Sequence, residues 1–155
     1  MEFKYKGWIS PVSISTGLSG MTKEEILQEL VGLLEKSGKV TDRKKLLDDI
    51  HERERVACTL VLNGIAIPHA KTCGVSELCT AIGIRQPGVV LEGSDKNPVS
   101  VFVLVAWPSD TPGCLKRIAA LTDFLSNRIS VQRIIASKNS EELYEYSQAV
   151  LQRSE

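Results

Sequence analysis

The sequence predicts an α/β protein, a three-layer α/β/α sandwich in which a mixed central sheet of about five strands carries helices on both faces. Two observations lead there. Apolar residues recur at helical spacing towards both ends of the chain, whereas the middle holds short β-rich runs separated by turn residues. Helices before and after a block of strands put the strands at the centre, with each face of the sheet covered. A length of 155 residues suits one domain. Residues 1–155 are therefore expected to form a single unit, with residues 1–20 as a loosely structured lead-in.

The lead-in is rich in Ser, Gly and Lys and contains Pro11, and Val12 to Ser15 can add an edge strand. Thr22 then opens a helix. With Glu25 it forms a capping box, in which each side chain satisfies the other's free backbone donor. Ile26, Leu27, Leu30, Leu33 and Leu34 line one side, and Gly38 ends the helix. A second helix is expected from Asp42 to Val56, with Leu46, Leu47 and Ile50 inward. Cys58 to Leu62 and Ile65 to Ile67 read as strands joined by Asn63-Gly64, a dipeptide that favours a tight turn. Leu78 to Arg85 and Val99 to Trp107 are further strands, with Gln86-Pro87-Gly88 and Glu92 to Pro98 as turns and loops. Beyond Trp107, Thr111 and Pro112 suit the start of a helix carrying Leu115, Ile118, Ala119, Leu121 or Thr122, and Leu125. Ser130 and Ser140 read as caps of two more helices.

Composition narrows the function. Nineteen basic and nineteen acidic side chains are interspersed, and no basic stripe offers a footprint for a phosphate backbone, so no nucleic-acid partner is expected. No apolar run approaches the roughly 20 residues that span a bilayer, so no direct membrane insertion is expected either. Met1 to Gly7 is charged and no apolar stretch follows it, which argues against a signal peptide. The expected location is cytoplasmic. Cys58, Cys73, Cys79 and Cys114 form no closely spaced pair and read as reduced thiols. A zinc site using them with His51 or His69 lacks the usual ligand spacing, so neither a metal nor another cofactor is expected.

One segment concentrates chemistry: Asn63-Gly64-Ile65-Ala66-Ile67-Pro68-His69-Ala70-Lys71. An apolar strand runs to Pro68 and delivers His69 at its end. Proline holds Ile67 extended and cannot donate to a sheet, so pairing is expected to stop just before the histidine. A neutral imidazole with one free ring nitrogen is a good nucleophile near neutral pH. Transfer of a phosphoryl group between imidazoles is nearly symmetric, which leaves the protein to supply alignment and charge stabilisation. Taken alone, a histidine after a strand is more often structural or merely exposed than functional.

This segment, with Arg53-Glu54 and Thr59 upstream, resembles the signature of the enzyme IIA domains of the fructose/mannitol class. These belong to the phosphoenolpyruvate-dependent sugar phosphotransferase system, with nitrogen-regulatory relatives. The resemblance runs from about Met21 to the end of the chain. It includes the apolar strand ending at Pro108 and the terminal Ser140-Glu141-Glu142-Leu143-Tyr144. It implies that His69 accepts a phosphoryl group from a phospho-HPr-like carrier and passes it to a IIB partner. It also implies that Arg53 sits beside the phosphohistidine, where a guanidinium can offer two aligned donors. Without the resemblance, Arg53 is one solvated helix charge among Glu52, Glu54 and Arg55. Thr59 and Asn63 are candidates for supporting hydrogen bonds and equally natural strand and turn residues.

Three positions depart from the family pattern. Cys114 stands where the family usually has a second histidine, and Leu60 and Leu62 replace glycines. Cys114 near a helix amino end can have a lowered thiol pKa and contact a phosphoryl group, or can be a small tolerated replacement. His51, the other histidine, falls in the charged stretch Asp48 to Arg55 and is expected at the surface. The departures leave three functions open: a phosphocarrier, a regulatory protein whose phosphorylation switches binding to a protein target, and a binding module without the chemistry. No serine-hydrolase elbow, zinc-protease helix or nucleotide-binding glycine loop is present in the sequence.

Overall fold

The computed structural model describes residues 9–56, 60–61, 64–91 and 97–153. The order of elements is β1 (Ile9–Ser15), α1 (Lys23–Lys36), α2 (Arg43–Val56), β2 (Leu60–Val61), β3 (Ile65–Ala66), β4 (His69–Lys71), β5 (Cys79–Val90), β6 (Pro98–Trp107), α3 (Cys114–Leu125), α4 (Arg128–Ile135) and α5 (Ser140–Arg153). The strands form a mixed sheet in the order β1-β5-β6-β3-β2. β4 also pairs with β6, in parallel and further along than β3, so β3 and β4 share one lane. The sheet is therefore five lanes wide, as expected. β1 runs parallel to β5, and β5 runs antiparallel to β6.

Alternation along β6 builds both sides of the sandwich. Val101, Val103, Val105 and Trp107 face a core shared with Ile118, Leu121 and Leu125 of α3, Val131 and Ile134 of α4, and Leu143 of α5. Phe102, Leu104 and Ala106 face the opposite core, filled by Ile26, Leu30 and Leu34 of α1 and by Leu46 and Ile50 of α2. A strand buried on both faces reads as a continuous apolar run. Each fully covered Leu or Ile here contributes about 1.5–3 kcal/mol relative to exposure.

Helices α1 and α2 follow the sequence closely. The Thr22–Glu25 capping box is present, and Gly38 takes a φ of 79° beyond the end of α1. Asp42 caps α2 by accepting from the Lys45 amide at 3.0 Å. Leu46 and Ile50 are buried, with Leu47 partly covered beside them.

The structure corrects several expectations. The edge strand expected at Val12 to Ser15 forms as β1 and reaches back to Ile9, longer than its local pattern suggests. Ile9 and Ile14 join the core, Ser13 Oγ donates to the Leu33 carbonyl at 2.9 Å, and Leu18 packs against Gly83. A β-carbon on Gly83 would lie 2.5 Å from Leu18. This strand finds its partner, β5, far along the chain, so its local polarity is a poor guide. Gln86-Pro87-Gly88 is not a turn, because β5 runs through it. The register slips between Ile84 and Val89, where a residue without an amide donor is tolerated. The Gln86–Pro87 peptide is cis.

The caps of the last three helices also differ. α3 begins at Cys114 after Gly113, whose φ is 77°, rather than at Thr111 and Pro112. Asn127 caps α4 by accepting from the Ile129 and Ser130 amides, so Ser130 lies inside the helix. Asn139 accepts from the Glu142 amide at 2.9 Å, while Ser140 Oγ donates to the Ile14 carbonyl and ties α5 to β1. Asparagine caps as well as serine does, and each asparagine here precedes its serine.

Candidate functional site

His69 opens β4, opposite Val105 of β6. Pairing does not stop at the histidine, as the proline suggests. It lapses at Ile67 and Pro68 and resumes at His69, because Pro68 lacks only a donor. Its carbonyl accepts from the Val105 amide at 3.0 Å and carries the ladder across the gap. β4 and β6 run parallel, and their carboxyl ends, Lys71 and Trp107, lie side by side. That end of a sheet is where open α/β folds place their ligand crevices.

A cleft of about 370 Å³ opens there, lined by Asp49, Glu52, Arg53 and Val56 of α2, His69 to Lys71 of β4, Trp107 and Leu115. His69 is 8% exposed. Its Nδ1 lies 2.8 Å from the Ile67 carbonyl oxygen. A carbonyl only accepts, so Nδ1 carries the proton in this bond and Nε2 keeps its lone pair. The ring stacks on Trp107 with centroids 6.1 Å apart and planes 13° from parallel. Burial holds the His69 pKa below the usual histidine value. The Ile67 hydrogen bond opposes this, Arg53 pushes the same way as burial, and Glu54 opposes it. The outcome is a neutral imidazole kept beside a cation.

The charges around the ring are sorted. Asp49 pairs with Lys45 at 3.0 Å, and Glu52 pairs with Arg55. Both acids on the cleft are thus partly neutralised by cations on their own helix. Glu54 is turned away from the cleft and nearly buried, with Lys23 of α1 at 2.6 Å. Lys71 is exposed on the cleft and makes no ion pair among the described residues. The cations on the cleft are Arg53 and Lys71.

The structure brings His69 and Arg53 to one cleft. Arg53 is half-buried there, unlike its exposed neighbours Glu52 and Arg55. Thr59 and Asn63 lie outside the described residues, as do Cys58 and Leu62. Cys114 turns into the core with Trp107 and Ile118, and its neighbour Leu115 lines the cleft instead, 70% exposed. The inward stripe of α3 is Cys114, Ile118, Leu121 and Leu125, so Leu115 falls off it. Burial raises the Cys114 thiol pKa, with Arg117 opposing, so the expected lowering at a helix amino end is outweighed. His51 is half-exposed and joins α2 to α1, with Nε2 2.6 Å from Glu24 Oε1.

Sequence reasoning missed Trp107, Val56 and Leu115 as parts of the site. Trp107 passed as the apolar end of a strand, although an aromatic before a proline at a strand's carboxyl end is a usable signal. Among the described residues, no three His, Cys, Asp or Glu side chains converge as a metal site would require. Nor is any described helix long and apolar enough to cross a membrane.

Comparison with known proteins agrees with this geometry. Residues 8–149 match the family model described as "Phosphoenolpyruvate-dependent sugar phosphotransferase system, EIIA 2". The chain is 31% identical over 131 residues to the PTS system fructose-specific EIIABC component of Bacillus subtilis; the match covers 84% of this chain and spans 20% of that protein. It is 25% identical over 139 residues to a nitrogen regulatory protein of Bradyrhizobium diazoefficiens, covering 88% of this chain and 89% of that one. Its fold is similar to that of enzyme IIAMTL in a complex with phosphorylated enzyme IIBMTL from Escherichia coli. The TM-score is 0.74 at 21% identity, over 90% of this chain and 96% of that one. The fold, the histidine cleft and the match over nearly the whole chain lead to one assignment: this protein belongs to the EIIA 2 family of the phosphoenolpyruvate-dependent sugar phosphotransferase system.

Proposed function

We propose that this protein is a cytoplasmic phosphocarrier in which His69 takes a phosphoryl group from a phospho-HPr-like donor and passes it to a IIB partner. The observation that carries the reading is the His69 ring itself. Burial holds its pKa down, its Nδ1 donates to the Ile67 carbonyl so that Nε2 keeps its lone pair, and the residue lines a cleft together with Arg53 and Lys71. The Nε2 lone pair forms the new N–P bond while the donor's N–P bond breaks and its electron pair returns to the donor nitrogen. The Nδ1 proton stays in its bond to the Ile67 carbonyl, which stabilises the positive charge that the ring gains. Arg53 offers paired donors to the phosphoryl oxygens, and Lys71 adds a second positive charge. No cofactor is needed for this exchange.

The cleft rim suits a protein partner. Val56 and Leu115 are 78% and 70% exposed on either side of it, and large exposed apolar side chains of this kind mark protein contacts.

The test is labelling from phosphoenolpyruvate in the presence of enzyme I and HPr. The expected product is an acid-labile, base-stable label on His69, absent from His69→Ala. An unlabelled wild-type protein sinks the reading. A second reading, regulation of a protein target through the same phosphohistidine, is favoured by the match over 89% of a nitrogen regulatory protein. Adding about two negative charges to a largely apolar rim reverses contacts made there. If that reading holds, His69→Ala and His69→Asp capture different partners.

A further inference from the structure

We propose that Trp107 is the positioning residue for the His69 nucleophile, a flat wall that sets the tilt of the imidazole and so the direction of Nε2. The inference rests on the phosphocarrier reading. Its observations are geometric. His69 is opposite Val105 in the parallel pair, and Trp107 lies two residues further along β6 on the face Val105 occupies. Diagonal neighbours on one sheet face are within reach of an aromatic side chain. The indole and imidazole planes differ by 13°, with centroids 6.1 Å apart, inside the range of offset stacking.

The Nδ1 bond to Ile67 fixes one atom of the ring and leaves the ring free to tilt about it. A nearly parallel wall removes that freedom. It also takes water from one side of the ring, in keeping with burial as the main cause of the lowered His69 pKa. The wall itself is rigid. Trp107 is 5% exposed, and its carbonyl accepts from the Thr72 amide at 2.8 Å. Stacking makes no use of Nε2, so the same wall serves the ring before and after phosphorylation. Cys114, at the start of α3, packs in the same apolar cluster as Trp107 and offers the ring no polar partner among the described residues. Among the described residues, one backbone carbonyl and one indole hold the ring's orientation.

Trp107→Phe keeps a flat face and Trp107→Leu keeps apolar bulk without one. Both can be compared with wild type by labelling with potassium phosphoramidate, a chemical donor that needs no protein partner. The ¹⁵N resonances of His69 report its tautomer in the same samples. The expected result is labelling within about twofold of wild type for Trp107→Phe and slowing on the order of tenfold for Trp107→Leu, as a misaligned nucleophile costs. The His69 spectrum should show one tautomer in wild type and Trp107→Phe, and a mixture in Trp107→Leu. A folded Trp107→Leu with wild-type labelling and an unmixed tautomer overturns the proposal. So does a folded Trp107→Phe as slow as the leucine variant, since size and not planarity would then matter. Should wild type take no label from phosphoramidate or HPr, the carrier reading fails, while the tautomer comparison still decides the role of Trp107.

Discussion

The His69 cleft and the groove between α4 and α5 have similar volumes, about 370 and 350 Å³, and each contains acids, a cation and an aromatic ring. Their chemistry differs because their titratable groups are held differently. In the α4–α5 groove Arg133, Glu142 and Glu145 are exposed. Arg133 lies over the Tyr146 ring at 5.0 Å, and Glu142 accepts from the Lys138 amide at 3.4 Å. Water screens each of these charges. In the other cleft an imidazole is desolvated, its tautomer is set by a backbone carbonyl, and the Arg53 charge acts on it. Room for a ligand is common to both; a buried group with a free lone pair belongs to one.

Substitutions can break this contrast in graded steps. Arg53→Ala is expected to slow phosphoryl transfer to His69 by about 10²-fold, the usual loss when one preorganised donor to a developing charge is removed. Transfer within threefold of wild type would show that the cation is incidental. The same variant should raise the His69 midpoint in an NMR titration, because the Arg53 charge lowers it. In wild type that midpoint should lie below the ordinary value of about 6.5. The unfolded chain then binds more protons than the folded one in this window, so stability rises with pH through it. Urea unfolding should therefore show stability lost as pH falls below about 6.5, and His69→Gln should flatten the slope.

Smaller effects sharpen the comparison. Lys71→Ala, which removes an exposed charge, is expected to slow transfer by about two- to fivefold, with the difference vanishing in high salt. Transfer unchanged at low salt would take Lys71 out of the site. Arg133→Ala, in the other groove, should leave transfer unaltered and change stability by less than about 1 kcal/mol, the range of an exposed cation–π contact. A loss of transfer there would mean that the two clefts are coupled.

Much of this was legible in the chain. The capping box at Thr22, the inward faces of α1 and α2 and the apolar run of β6 are local patterns, and each formed as spacing dictates. His69 and Arg53 were singled out by the resemblance of their motif, and both line one cleft. β1 was legible as an edge strand at Val12 to Ser15 but not in its extent or its partner, some seventy positions away in the sheet register; the strand that passes through Gln86-Pro87-Gly88 was hidden. The start of α3 was equally hidden. A shift of its first residue to Cys114 decided that the thiol enters the core and Leu115 reaches the cleft.

The sequence by itself determined the class of fold and the order of its elements, because these depend on periodicity and turn chemistry, and it singled out His69 as a candidate through the resemblance of one short contiguous motif. Only the tertiary structure decided what surrounds that residue. The tautomer of His69 follows from a carbonyl two residues back, an indole on the neighbouring strand stacks beside its ring, and burial between elements distant in the chain lowers its pKa. Desolvation and stacking arise between surfaces that meet only once the sheet has formed, and no local pattern records them.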